Sequence, residues 1–253
     1  MKYVDESMLQ DKLFIKYGSA SDIYHCMYKN NFYIYKKFLK PEETINDEFF
    51  NRFKILSSKN IKQVVLPKHL VLSSDEPQGY LTPSIERENI ISLKDPLEKY
   101  KALIYTKKII QKLHQKGVIH GDIHSGNILV KNNKRCLIDF DNCEILGSVK
   151  LDFNKCCISA MNYINKNGVI KNLDIYMFNV LTFFAFNPCI RESRYLEEIF
   201  DIVRNNIYYG NNGIFSNDKS RRTCEDIYLY NSKDYLIDTI SENDIKTYKK
   251  NLL

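Results

Sequence analysis

Asp122 and Asn127 stand five residues apart in the run VIHGDIHSGNILV (118–130), and Asp139 follows nine residues later in CLIDFDN (136–142). Apolar residues bracket the first run on both sides, Val118 and Ile119 before it and Ile128 to Val130 after it. A short loop between two strands would therefore turn Asp122 and Asn127 into one small volume. Asp139 ends a second apolar run, Leu137-Ile138, and would return to that volume from a neighbouring strand. Two carboxylates and a carboxamide form a hard oxygen set. Such a set suits Mg²⁺, which keeps several waters and takes one or two carboxylates together with substrate phosphates. The chemistry that this spacing suggests is phosphoryl transfer.

The elements needed to hold these residues can be read from periodicity. Tyr28-Lys29-Asn30-Asn31 is a turn sequence, and the aromatic and β-branched run Phe32 to Leu39 reads as the second strand of a hairpin. Pro41 with Glu42 and Glu43 opens a helix that carries Phe49, Phe50, Phe53 and Leu56 on one side and ends near Ser57-Ser58. Further strands are expected at Val64–Leu66, His69–Leu72 and Gly79–Leu81. From Pro96 to His114 the apolar positions recur at helical spacing, and Gly117 closes the helix. A last strong helix, about 172–186, is apolar nearly all round (Ile175, Phe178, Leu181, Phe184) and so reads as a buried core helix too short to span a bilayer.

A chain of 253 residues with 44% hydrophobic content can build one large domain or two lobes. The net charge of +6 is spread along the length, which argues against a nucleic-acid role. The N-terminus, MKYVDESMLQDKLF, lacks the apolar core of a signal peptide, and no apolar run reaches the ~18 residues of a membrane span. We therefore expect a cytoplasmic protein. Its seven cysteines show no repeated CxxC spacing, so zinc is not expected and the thiols should stay reduced. Cys156-Cys157 reads as two small, partly buried side chains, and Arg221-Arg222 as a solvated basic pair.

In order and spacing these parts resemble the protein-kinase-like superfamily over roughly residues 14–186. His120-Gly121-Asp122 with Asn127 resembles the catalytic loop, Asp139-Phe140-Asp141 stands in place of Asp-Phe-Gly, and Asp174 resembles the buried aspartate that anchors the catalytic loop. The resemblance implies an α+β, bilobal fold: a small antiparallel-sheet N-lobe over 1–85, a hinge near 80–86, and a mainly helical C-lobe over 87–253. It further implies ATP and Mg²⁺ as cofactors. Asp122 would be the base, Asn127 and Asp139 the metal ligands, and a lysine would sit on the phosphates. Alternation along the strand puts Lys36 with Ile34 and Lys37 with Tyr35, and the smaller neighbour selects Lys36. Its ion-pair partner is expected from the following helix, with Glu48 as the candidate and Glu42 and Glu43 left open. Gly18, Ser19 and Ile23 match a thin phosphate loop, and Leu81 and Pro83 fall where backbone groups would meet adenine.

Three residues depart from the regulated protein kinases. Gly121 replaces the arginine that couples to a phosphorylated loop, His124 takes the place of a lysine that touches the γ-phosphate, and Asp141 replaces the glycine after Asp-Phe. The run HGDIHSGN is similar instead to aminoglycoside and choline phosphotransferases and to atypical bacterial protein kinases. His124 would either donate to the γ-phosphate or stabilise the loop. Between Asp139 and Asp174 there is no Ala-Pro-Glu, the platform for peptide substrates. The first expectation is transfer to a Ser/Thr hydroxyl of a protein. The alternatives are a small-molecule phosphotransferase and a nucleotide-binding pseudokinase scaffold.

Overall fold

The structure is a computed structural model in which residues 2–18, 20–85, 88–131, 134–152, 163–165, 172–186, 214–215, 217–229 and 232–251 are described. The chain divides into two compact units, Met1–Glu86 with Ile138–Asp141, and Arg87–Leu137 with Asn142–Leu253. Strands dominate the first unit and helices the second, which is the expected α+β class.

The first unit is a six-stranded sheet in the order β1-β5-β6-β4-β3-β2. Its strands are β1 (Lys2–Asp5), β2 (Gln10–Tyr17), β3 (Ser21–Tyr28), β4 (Asn31–Phe38), β5 (His69–Ser73) and β6 (Glu76–Pro83). All neighbours pair antiparallel except β1, which runs parallel to β5. The β3–β4 turn needs two residues only, with Tyr28 opposite Asn31 and positive φ at Lys29 and Asn30. Positive φ at both central positions gives the primed turn whose twist matches that of the strands it joins. Ile23 then lies opposite Lys36, Lys36 opposite Tyr80, and Ile34 opposite Thr82, so these side chains share one face. The opposite face packs Tyr35 and Leu81 with Val4, Leu9, Cys26, Tyr28 and Val71.

Two helices follow β4, α1 (Pro41–Thr44) and α2 (Asp47–Ser58), where the sequence predicts one. The break falls at Asn46, whose backbone is extended and whose side-chain oxygen accepts from the Phe49 N–H, capping a new helix. Helix α2 is held on the Lys36 face of the sheet by aromatic rings. Phe49 meets Phe38 and Tyr80 at 6.1 and 6.0 Å between ring centroids, and Phe53 meets Tyr80 at 6.1 Å. Burying each phenyl contributes about 1.5–3 kcal/mol. Phe50, expected on the same side, is only half-buried.

Two further differences from the expected elements have local causes. The strand expected at Val64–Leu66 shrinks to a bridge residue at Val64, because Gln63 turns the chain with φ +67° and Pro67 has no N–H to pair. Strand β1 is an addition: of its four residues only Val4 is buried, too little pattern to mark a strand in sequence.

In the second unit, α3 (Pro96–Gln115) starts with Asp95 capping the Leu97 N–H and ends before Gly117 at φ +68°. Its buried stripe is Ala102, Leu103, Thr106, Ile109, Ile110 and Leu113. The strands are short: β7 (Glu88–Asn89) pairs with β9 (Ile128–Lys131), which pairs with β10 (Lys134–Leu137), and β8 (Val118–Ile119) pairs with β11 (Glu144–Ile145). Helix α4 (Leu173–Ala185) is the buried core helix that its composition announces. Its carbonyl end is met by the buried Lys99 ammonium, 2.8 Å from the Ala185 oxygen. Asn179 uses both ends of its amide, donating to the Asp234 carbonyl and accepting from the Leu236 N–H. Helices α5 (Asp218–Tyr228) and α6 (Glu242–Asn251) follow. None of the described helices is long and apolar enough to cross a membrane. Cys156, Cys157, Cys189, Ser19 and the Arg221 side chain lie outside the described residues.

Candidate functional site

The catalytic-loop candidates belong to the second unit and are built outward from Asp174. Asp174 sits in the first turn of α4 and is fully buried. One carboxylate oxygen accepts from the His120 N–H (2.8 Å) and lies 2.9 Å from His114 Nε2, and the other accepts from the Gly121 N–H (2.8 Å). Burial pushes this carboxyl up, but His114 and the backbone donors outweigh burial and hold it below the usual carboxylate range. The clamp requires an unusual backbone: Gly121 has φ +77°, and a Cβ there would lie 2.2 Å from Leu151 Cδ1. That geometry accounts for glycine where regulated kinases carry arginine.

Immediately after the clamp, Asn127 donates from Nδ2 to the Asp122 carbonyl (3.0 Å) and to Asp122 Oδ2 (2.9 Å). The five-residue spacing thus makes a direct contact. Because Asn127 gives its NH₂ to Asp122, its amide oxygen is the atom left to face a hard cation. His124 accepts the Gly126 N–H on Nδ1 (3.0 Å), which caps the 3₁₀ turn Ser125–Asn127 and leaves Nε2 to carry the ring proton. Nε2 lies 3.4 Å from Asp122 Oδ2. Both contacts lie within the loop itself. Gly126 makes room for the ring, since a Cβ would lie 2.7 Å from His124 Cε1.

The lysine centre belongs to the first unit. Lys36 Nζ lies 2.7 Å from Asp139 Oδ1 and 2.8 Å from Asp141 Oδ2. Burial opposes its charge, but Asp141 and then Asp139 more than offset that and hold the ammonium above the ordinary lysine range. Asp139 has φ +65°, a left-handed conformation that aspartate tolerates better than most residues. Tyr80, directly across the sheet from Lys36, donates to Asp141 Oδ1 at 2.7 Å. Burial and the neighbouring Asp141 keep that phenol protonated. Burial likewise raises the Asp141 carboxyl, against the pull of Lys36. Arg52 of α2 donates to the Asp141 carbonyl and to Glu48 Oε1.

The other predicted residues fall into two groups. Lys36, Ile34 and Ile23 come together on one sheet face, whereas Lys37 points to the other and pairs with Glu6 (2.9 Å). Glu48 is not brought to Lys36. It pairs with Arg52, one helical turn on, and its side chain is 57% exposed. Leu81 does not join the Lys36 face either: its side chain is in the core cluster and its carbonyl accepts from the Lys68 N–H. Pro83 lines a cavity of about 820 Å³ with Lys2, Tyr33 and His69. Gly18 closes a tight turn by donating its N–H to the Ser21 carbonyl (2.7 Å). Sequence reasoning did not place Tyr80 and Asp141 beside Lys36, nor Arg52 beside Asp141. Asp141 stood out in the chain as the replacement for a glycine, but nothing local ties it, Tyr80 or Arg52 to one another.

Residues 66–162 match the model of the phosphotransferase enzyme family. That stretch holds Asp122, His124, Asn127, Asp139 and Asp141, while Lys36 and Asp174 lie outside it. The chain is also similar to an uncharacterized protein in the hydrogenase 1 5′ region of Clostridium pasteurianum. The two are 28% identical over 164 residues, covering 57% of this chain and 28% of the relative. This chain therefore spans less than a third of that relative's length.

Proposed function

We propose that the protein is an ATP-dependent phosphotransferase that moves the γ-phosphate to a hydroxyl group. The observation that carries this reading is the Asp122 carboxylate, fixed by the Asn127 amide in a loop whose backbone is clamped by buried Asp174. Asp122 orients the acceptor hydroxyl and takes its proton. Lys36 supplies positive charge for the phosphates, and most of the rate comes from positioning and electrostatics. The donor chemistry fits Mg²⁺. Asn127 of the second unit offers an amide oxygen and Asp139 of the first a carboxylate, hard donors of the kind this ion takes. Mg²⁺ bound with ATP would neutralise phosphate charge.

Two acceptor classes follow. A Ser/Thr hydroxyl of a protein is the reading drawn first from the catalytic-loop order. A small hydroxylated molecule has specific support from the family match and from Gly121 and His124 in HGDIHSGN. Incubation with Mg²⁺ and labelled ATP, with casein-like protein in one arm and aminoglycosides in another, separates the two. Label on protein supports the first, label on the small molecule the second, and nucleotide binding without turnover a scaffold. Asp122→Asn should lower turnover by about 10²–10⁴-fold, the usual contribution of a positioned base. Full activity in that variant would remove Asp122 from the role.

A further inference from the structure

We propose that Asp141, and not a carboxylate of helix α2, is the residue that positions the Lys36 ammonium. The catalytic meaning of this assignment rests on the phosphotransferase reading above, but the contact itself does not.

Four observations in the first unit carry it. First, the two oxygens of Asp141 are divided between protein partners, Oδ2 to Lys36 Nζ (2.8 Å) and Oδ1 to the Tyr80 hydroxyl (2.7 Å). Tyr80 is 4% exposed and lies directly opposite Lys36 in the strand register, so the hydroxyl and the ammonium grip the carboxylate from adjacent strands. Second, the Asp141 backbone is tied down as well, because the buried Arg52 guanidinium donates to its carbonyl. Third, the expected helix carboxylate is engaged elsewhere. Glu48 pairs with Arg52 at 2.7 Å and its side chain is 57% exposed, against 14% for Asp141. An ion pair so open to water is weakly coupled and holds little in place. Fourth, the other carboxylate on Lys36 is Asp139, the proposed ligand for Mg²⁺. Asp139 would share its oxygens with the metal, and Asp141 would go on holding Lys36. The aspartate found where the family motif has glycine thus does the work of the helix glutamate. Arg52 links α2 to the same point through the Asp141 backbone.

The test reads Lys36 directly in the ATP-free full chain. Acylation of Lys36 by a water-soluble succinimidyl ester at one fixed pH is followed by peptide mass spectrometry, with thermal melts to confirm folding. Asp141→Asn should raise the labelling rate by about tenfold, the effect of losing one close opposite charge, and Glu48→Gln should leave it unchanged. Tyr80→Phe keeps the ring packing and removes only the hydroxyl. It should raise labelling by a smaller factor, and it decides the matter if Asp141→Asn does not fold. In ATP turnover, Asp141→Asn should raise KM for ATP more than it lowers kcat, and Asp141→Glu should restore part of the loss. Unchanged Lys36 labelling in a folded Asp141→Asn, or an equal rise in Glu48→Gln, overturns the proposal. Absence of any turnover in the unmodified protein would sink the phosphotransferase reading, while the labelling comparison would still decide whether Asp141 holds Lys36.

Discussion

Replacing Asp174 by asparagine should cost the second unit a large share of its stability, because the change adds a donor where three donors already converge. In the native protein the fully buried carboxylate serves the His120 N–H, the Gly121 N–H and His114 Nε2, all within 2.9 Å. An asparagine keeps one acceptor oxygen and turns an NH₂ toward the remaining donors, so one or two buried N–H groups lose their acceptor. Each buried group left unpaired costs about 1–3 kcal/mol. The total is roughly 1–6 kcal/mol, against the ~5–15 kcal/mol that holds a typical domain together. Urea denaturation at pH 7 should therefore show a lower midpoint with an unchanged slope. The pH dependence has a definite sign. The Asp174 carboxyl lies below its ordinary value in the folded state, so its contribution is complete above the unfolded pKa of about 3.9 and is lost as pH falls through the folded value. The stability gap between native and variant should shrink on acidification. A variant within about 0.5 kcal/mol of the native protein at pH 7, the range of an ordinary surface change, or a gap that widens toward acid, would refute the clamp.

Two glycines in the same loop give further checks. Gly121→Ala should destabilise by about 2–4 kcal/mol, combining the penalty of a left-handed non-glycine residue with a Cβ placed 2.2 Å from the buried Leu151 side chain. A loss under about 0.5 kcal/mol in urea titration would argue against it. For Gly126→Ala the obstacle is the His124 ring, 2.7 Å from the added carbon, and the expected cost is about 1–2 kcal/mol. In a His124→Ala background most of that cost should disappear. A double-mutant cycle with no coupling between the two positions would show that the ring does not lie over Gly126.

Features set by neighbouring residues were legible in the chain itself. Asp122 and Asn127 are five residues apart, and their contact follows from one short loop between apolar strands. Strand alternation alone separates Lys36 from Lys37, and the structure puts the two on opposite faces, one with Asp139 and Asp141 and the other with Glu6. The long helix α3 was announced by its stripe, by Pro96 at its start and by Gly117 past its end. Helix α4 was announced by apolar residues all round.

Contacts between residues distant in sequence were decided only by tertiary structure. Lys36 and Asp139 are 103 residues apart, Arg52 and Asp141 are 89, and Tyr80 and Asp141 are 61. No periodicity connects such positions, so Glu48 looked like the nearer partner for Lys36. Glu48 instead pairs with Arg52 one turn along α2, while the face of α2 that meets the sheet is set by Phe49 and Phe53. Likewise, β1 exists because an edge of β5 was available to pair with it, which the residues Lys2 to Asp5 do not reveal. The groups on offer, two carboxylates, a carboxamide and a lysine, were written in residue types and short spacings. Which carboxylate steadies the lysine was settled by folding, because a buried charge pairs with whichever opposite charge is brought out of water beside it.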